Sequence, residues 1–262
     1  ENWAEKNERD VQLMLFEENR GIPVRLNQVR KSLLGDYAIF IGDDVFAPGA
    51  IEKLMEAAAS YDFPDVVTGV AQWFNEDLTA SMGAYWGILG AEGEYPMEVS
   101  AGSLRGRMMA GNFVSAPSTL WRLDFLEACG GYDEHYIFED WPLLMKICSR
   151  HPEARFLFLS DVLVKYRRLN PSNAAISPAR QVWREKMAVD RVLLRLEFGN
   201  SRLRTDREVG YRELAKMRWH SGADKSRALS HPLVVYWFPV SRFWAYSSKG
   251  QIYALGPLIA HF

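Results

Sequence analysis

Between residues 11 and 70 the hydrophobic period switches repeatedly, and that alternation restricts the fold more than any single motif. Val11–Phe16 is an unbroken apolar run of strand length. After the turn Asn19-Arg20-Gly21, Pro23 suits the first turn of a helix whose stripe is Ile22, Leu26, Val29 and Leu33. Tyr37–Ile41 is a second apolar run, Pro48-Gly49 opens a helix over Ala50–Ser60, and Asp65–Val70 is a third run. Strand, helix, strand, helix, strand with short connections predicts an α/β fold. Its mostly parallel sheet is flanked by helices, because parallel neighbours need a crossover.

Residues 76–107 are Gly-rich with no sustained period, which predicts a long binding loop around Trp86 and Tyr95. Order returns at Gly111–Leu120, in a helix at Leu123–Ala128 and in the turn Gly130-Gly131. A further helix is expected from Glu139, strands over Phe156–Leu159 and Val162–Tyr166, and a long amphipathic helix over about Pro178 to Phe198. This order divides the chain into a domain over 1–175 and an extension over 176–262 that is helical, basic and aromatic-rich.

Hydrophobic residues make up 48% and charged residues 24%, the balance of a globular chain rather than a disordered one. No apolar run of 18 residues predicts a membrane span. Cys129 and Cys148 lack the spacing of a zinc site or a redox pair, so they are expected in the core, in a reducing compartment. Charge is unevenly spread: residues 1–177 carry 16 basic and 26 acidic side chains, residues 178–262 carry 15 and 7. The acidic part would take a phosphorylated ligand only with a metal ion between them. In the basic part Arg180, Arg184, Arg191 and Arg195 share a helical face, and eight aromatics lie within 231–262. That combination suits peripheral contact with an anionic membrane surface, or a subdomain whose arginines face water. No recognised module accompanies the charge, which argues against nucleic acid.

Two acidic pairs carry the chemistry. Asp43-Asp44 ends an apolar run, where open α/β sheets bind ligands, and could hold a divalent cation or simply stop the strand. Glu139-Asp140 opens a helix 96 residues later, as a general base or as a first-turn acid favoured by the helix dipole. Trp141 beside it could offer a flat face to a sugar or pack in the core. Arg105 and Arg107 could meet phosphate or line a solvated loop, and His135 reads as a solvated residue.

The stretch NRG (19–21), GDYAIFIGDDVFAPGAIEKL (35–54), GGYDE (130–134), EDWPLLMKI (139–147) and YRR (166–168) resembles the family 2 glycosyltransferases with a GT-A fold, over about residues 9 to 173. The resemblance implies an inverting transfer of a hexosyl-type sugar from a nucleotide-sugar donor to the hydroxyl of a glycan or glycolipid, in surface polysaccharide or envelope synthesis. It implies Asp140 as catalytic base with Glu139 beside it, Asp43 and Asp44 at the donor, Asp44 on a Mg²⁺ or Mn²⁺ ion, and Trp141 at the acceptor. It implies a cytoplasmic enzyme, peripheral at the inner face of the membrane. Three departures accompany it: Gly42 replaces the first acid of the DxD-type motif, Leu169 and Asn170 stand where a His often follows, and the family's opening strand–helix–strand has no counterpart. A non-catalytic glycan- or partner-binding relative and a two-carboxylate glycoside hydrolase are the competing readings.

Overall fold

The structure is a computed structural model that describes residues 14–87, 95–168, 178–200, 202–206, 208–210, 212–213, 243–246 and 252–255. Its elements are α1 (Ile22–Arg30), β1 (Tyr37–Ile39), β2 (Val45–Phe46), α2 (Ala50–Ser60), β3 (Val66–Phe74), β4 (Ser81–Trp86) and β5 (Met97–Ser100). Then follow α3 (Ala101–Ala110), a 3₁₀ turn at Ala116–Ser118, β6 (Thr119–Arg122), α4 (Leu123–Ala128), α5 (Asp140–Arg150) and β7 (Arg155–Arg167). Helix α6 (Pro178–Phe198) and strands β8 (Phe243–Tyr246) and β9 (Ile252–Leu255) complete the order.

Seven strands form one sheet in the order β1-β6-β3-β7-β2, with β4 beside β3 and β5 beside β7. Strands β1, β3 and β7 share one direction, but β6 runs antiparallel between β1 and β3. The α/β class therefore holds while the expected mostly parallel sheet is corrected to a mixed one. Only β3 and β7 pair in parallel among the described residues. Strand β6 is entered from the 3₁₀ turn at Ala116–Ser118 and leads directly into α4, so both of its pairings are antiparallel ones that the run of strand and helix signals before residue 70 did not include. The irregular loop expected over 76–107 is instead largely β4, β5 and α3, because Gly83, Gly102 and Gly106 lie within or between these elements. The two late strands are one strand, β7, with register shifts opposite Thr68–Ala71. The run Val11–Phe16 lies partly outside the described residues; its described part, Met14–Phe16, has no regular structure. Within the basic third, α6 matches its expected bounds, whereas β8 and β9 pair as a hairpin that a wholly helical extension did not include.

Burial on both sheet faces explains the unbroken apolar runs. Phe156 and Phe158 face the layer of α3 and α5 with Met108, Leu143 and Ile147, while Leu157 and Leu159 face α2 through Leu54 and Ala58. Close approach of β3 to β7 requires Gly69, where a Cβ would lie 2.3 Å from Leu163 Cδ1. Asp65, only 8% exposed, ties three strands together. Its carboxylate accepts from Arg155 N–H at 2.8 Å at the start of β7 and pairs with Arg122 at 2.9 Å at the end of β6.

Helix α1 departs from its expected stripe: Ile22 is 55% exposed, and Pro23 and Asn27 turn inward. The cause is polar. The Asn27 amide accepts from Tyr132 N–H at 2.9 Å and donates to Tyr132 C=O at 2.8 Å and to a Glu134 carboxylate oxygen at 2.9 Å. This pairing fixes the loop between α4 and α5. Gly130 and Gly131 enter that loop at φ +74 and +66, and a Cβ on Gly131 would lie 2.6 Å from Asn27 Oδ1. Asn27→Ala strands the buried Tyr132 N–H and C=O. It should lower unfolding stability by about 1–3 kcal/mol, read as a fall in the urea midpoint at unchanged m-value.

Candidate active site

Asp43 and Asp44 follow β1 and are reached from β7 by one residue, Arg167. Its N–H donates to Asp44 Oδ1 at 2.7 Å, its Nε donates to Asp43 C=O at 2.9 Å, and Nε lies 3.7 Å from the Asp43 carboxylate. Asp43 stays exposed, with 78% of its side chain open, whereas Asp44 is half-buried. Burial raises the Asp44 carboxyl above its ordinary range, against the pull of the Arg167 N–H bond.

The second pair sits at the start of α5, with Glu139 at the cap position and Asp140 opening the first turn. Both are half-buried. Asn112, two residues past α3, donates its amide to Asp140 Oδ2 at 2.6 Å, and Trp141 N–H donates to Asp140 Oδ1 at 2.6 Å. Burial raises both carboxyls, and for Glu139 the negative neighbour adds to it; Glu139 is pushed up to about 7. Two adjacent carboxylates out of water resist double ionisation, and one proton is held easily near neutral pH.

Tyr166, next to Arg167 on β7, links the pairs. Burial raises its phenol first, and the charges of Asp44, Asp140 and Glu139 raise it further, against Arg168. Carboxylates from two segments far apart in sequence thus act on one side chain near the carboxyl end of β7. Arg168 lays its guanidinium 4.2 Å from the Trp73 ring centre, and among the described residues the buried Trp73 indole N–H has no hydrogen-bond partner. The arrangement offers a carboxylate of raised proton affinity at the start of α5 and, after β1, a second acidic pair with one member open to solvent.

Sequence reasoning missed Asn112 and Trp73, and it included Tyr166 only within the YRR motif, without a role. Asn112 is flagged only weakly, as a polar residue after Gly111 where an apolar segment resumes. Trp141 is corrected to the core: it is 5% exposed, its Nε1 donates to Met108 C=O at 2.9 Å, and the Arg195 guanidinium lies 4.3 Å from its ring centre. Arg105 is likewise engaged, donating to Phe198 C=O at 3.0 Å and pairing with Asp206 at 2.8 Å. Arg195 does not face water, being 3% exposed, while the side chains of Arg180 and Arg184 lie outside the described residues. His135 is solvated as expected, and Cys129 and Cys148 are buried thiols.

Among the described residues no group of three or more His, Cys, Asp or Glu could hold a metal ion. Asp44 and Asp43 nonetheless offer two hard carboxylates. A magnesium-type site needs no more from a protein when phosphates and water fill the remaining positions. Among the described residues no helix is long and apolar enough to cross a membrane.

No protein-family model and no curated protein matches the chain. Solved structures do. S. aureus TarS 1–349 in complex with UDP-GlcNAc is similar at a TM-score of 0.50 and 16% identity, over 90% of this chain and 66% of that one. S. aureus TarS 1–349 in complex with UDP gives 0.50 and 16%, over 87% and 61%. The chain therefore spans just under two-thirds of the neighbour's length, and the likeness shows a shared fold.

A stability prediction follows from the raised Glu139 carboxyl. Its ordinary value is 4.5 and its folded value about 7, so across that interval the folded chain keeps a proton that the unfolded chain has lost. Stability is full below the lower value and falls as pH rises through the upper one. Glu139→Gln should flatten that fall by about 2 kcal/mol between pH 5 and pH 8, measured by urea unfolding at each pH.

Proposed function

We propose that this chain is an inverting glycosyltransferase that moves a hexosyl group from a UDP-sugar to the hydroxyl of a glycan or glycolipid acceptor, in the synthesis of surface polysaccharide. The observation that carries the reading is geometric: Asp44 accepts the Arg167 N–H at 2.7 Å at the carboxyl end of β7, where ligands of such sheets bind, while Asn112 and the Trp141 N–H orient Asp140. The UDP and UDP-GlcNAc held by the TarS structures support a uridine nucleotide-sugar as donor. The resemblance of the acidic pairs and their flanking residues to family 2 supports the inverting class.

In this reading Asp140 is the general base. Its Oδ2 and Oδ1 are oriented by Asn112 and by Trp141 N–H, and its raised proton affinity suits taking the acceptor proton as the hydroxyl attacks. Glu139 shares the negative charge and, when protonated, can donate a hydrogen bond to the acceptor. Asp44, with Asp43, would hold Mg²⁺ or Mn²⁺. That ion supplies charge neutralisation for the departing diphosphate. Asp44 is poised for a cation because it is half-buried and, among the described residues, only its Oδ1 accepts a hydrogen bond. Arg168, whose guanidinium lies over the Trp73 ring at the end of β7, would supply positive charge toward a phosphate. For the basic residues 178–262 we assign peripheral contact with an anionic membrane at its cytoplasmic face, supported by their charge excess and aromatic content.

Two substitutions separate the roles. Asp140→Asn keeps shape but cannot accept the proton, so sugar transfer should fall by about 10²–10⁴ while calorimetric UDP–Mn²⁺ affinity stays within about twofold. A loss of transfer under tenfold would remove Asp140 from this role. Asp44→Asn should instead weaken UDP binding in Mn²⁺ and leave metal-free UDP binding unchanged, since an amide is a poor ligand for a hard cation.

A further inference from the structure

Helix α6 reaches the acidic start of α5 through one buried cation. Arg195 donates Nε to Met109 C=O at 2.9 Å, Nη2 to Ala110 C=O at 3.0 Å and Nη1 to Arg191 C=O at 3.0 Å, with Glu213 at 3.7 Å. Met109 and Ala110 close α3, so their carbonyls have no partner within that helix. The planar fork of an arginine can serve both at once. Its face lies 4.3 Å from the Trp141 ring centre, and Trp141 returns its indole N–H to Met108 C=O at 2.9 Å. Two residues beyond α3, Asn112 grips Asp140 at 2.6 Å. The end of α3 and the start of α5 are therefore joined twice, once through Arg195 and Trp141 and once through Asn112 and Asp140.

We propose that Arg195 is a positioning residue for the site: by locking the last carbonyls of α3 onto Trp141 of α5, it holds the Asn112 amide on one oxygen of Asp140. The proposal rests on the reading of Asp140 as base for its consequence in catalysis, but the positioning is a property of the folded chain alone. A buried charge is costly unless its donors are filled, and here carbonyls fill them. Burial lowers the guanidinium to about 10, so it stays protonated at neutral pH. Two further contacts from α6 steady the approach to the same helix: Asp190 accepts Ile137 N–H at 2.9 Å, and Glu197 accepts the Tyr136 hydroxyl. The titratable and charged groups that act with Asp140 among the described residues are Glu139 beside it, Tyr132 in the preceding loop, Tyr166 on β7 and Arg191 on α6.

The test uses the full chain labelled with ¹³C-carboxyl aspartate. Asp140 is assigned by the resonance that vanishes in Asp140→Asn, and its titration midpoint is followed by NMR. Asn112→Ala removes a bond that favours the ionised carboxylate, so the midpoint should rise by about one pH unit. Arg195→Lys keeps the charge but cannot span both carbonyls and the ring, and should raise the midpoint similarly. The double variant should rise no further than the larger single one, because both changes act through one contact. Additive shifts, a midpoint unmoved by Arg195→Lys, or one unmoved by Asn112→Ala would each overturn the proposal. If the Lys variant lacks a cooperative urea transition, Trp141→Leu, which removes the ring beneath the guanidinium, must give the same rise. These midpoints need no turnover, so failure of Asp140 as base would appear in the transfer assay of Asp140→Asn and not here.

Discussion

The parallel ladder between β3 and β7 is the constraint from which the rest follows. It runs from Val66 opposite Phe156 to Phe74 opposite Arg167, and its dry centre leaves backbone groups no partner but each other. A strand as long as β7 exists only because β3 accompanies it along its length, with β5 at one end and β2 at the other. That length delivers Tyr166 and Arg167 to the rim, where the Arg167 N–H meets Asp44. Gly69 is part of the same constraint, since any side chain there would separate the two strands at Leu163.

Around this ladder the helices are pinned by polar contacts at their ends more than by apolar stripes alone. Asn27 completes the main chain of Tyr132, Asp65 gathers the starts of β3 and β7 with the end of β6, and Arg195 closes α3. Each buried polar group is expensive to strand, so each contact has one register and one geometry. The same economy governs the site. Carboxylates at the start of α5 are favoured by the helix dipole, yet their burial and mutual repulsion dominate and raise their proton affinity. A half-buried acid that holds its proton near neutral pH is unfavourable for stability at high pH and useful for proton transfer.

The sequence by itself determined the elements whose signals are local. Helices over Ala50–Ser60, Leu123–Ala128 and Pro178–Phe198 emerge with the expected bounds, because each has a turn residue or a sustained helical period. The apolar run at Tyr37 and the acids that end it were legible for the same reason, as was the Gly130-Gly131 turn, whose positive φ values few other residues tolerate. What only the tertiary structure decided depends on partners distant in sequence. Strand β6 lies antiparallel between β1 and β3, and nothing within Thr119–Arg122 records that direction. For Trp141 the sequence leaves a sugar platform and a core ring both open, and for Arg195 a membrane contact and a solvated cation, until packing places one against the other. Asn112 acquires meaning only when α3 and α5 meet. Periodicity encodes which face of an element is apolar, whereas hydrogen-bond partners across 28 or 86 residues are fixed by the assembled core, where an unpaired donor has no water to turn to.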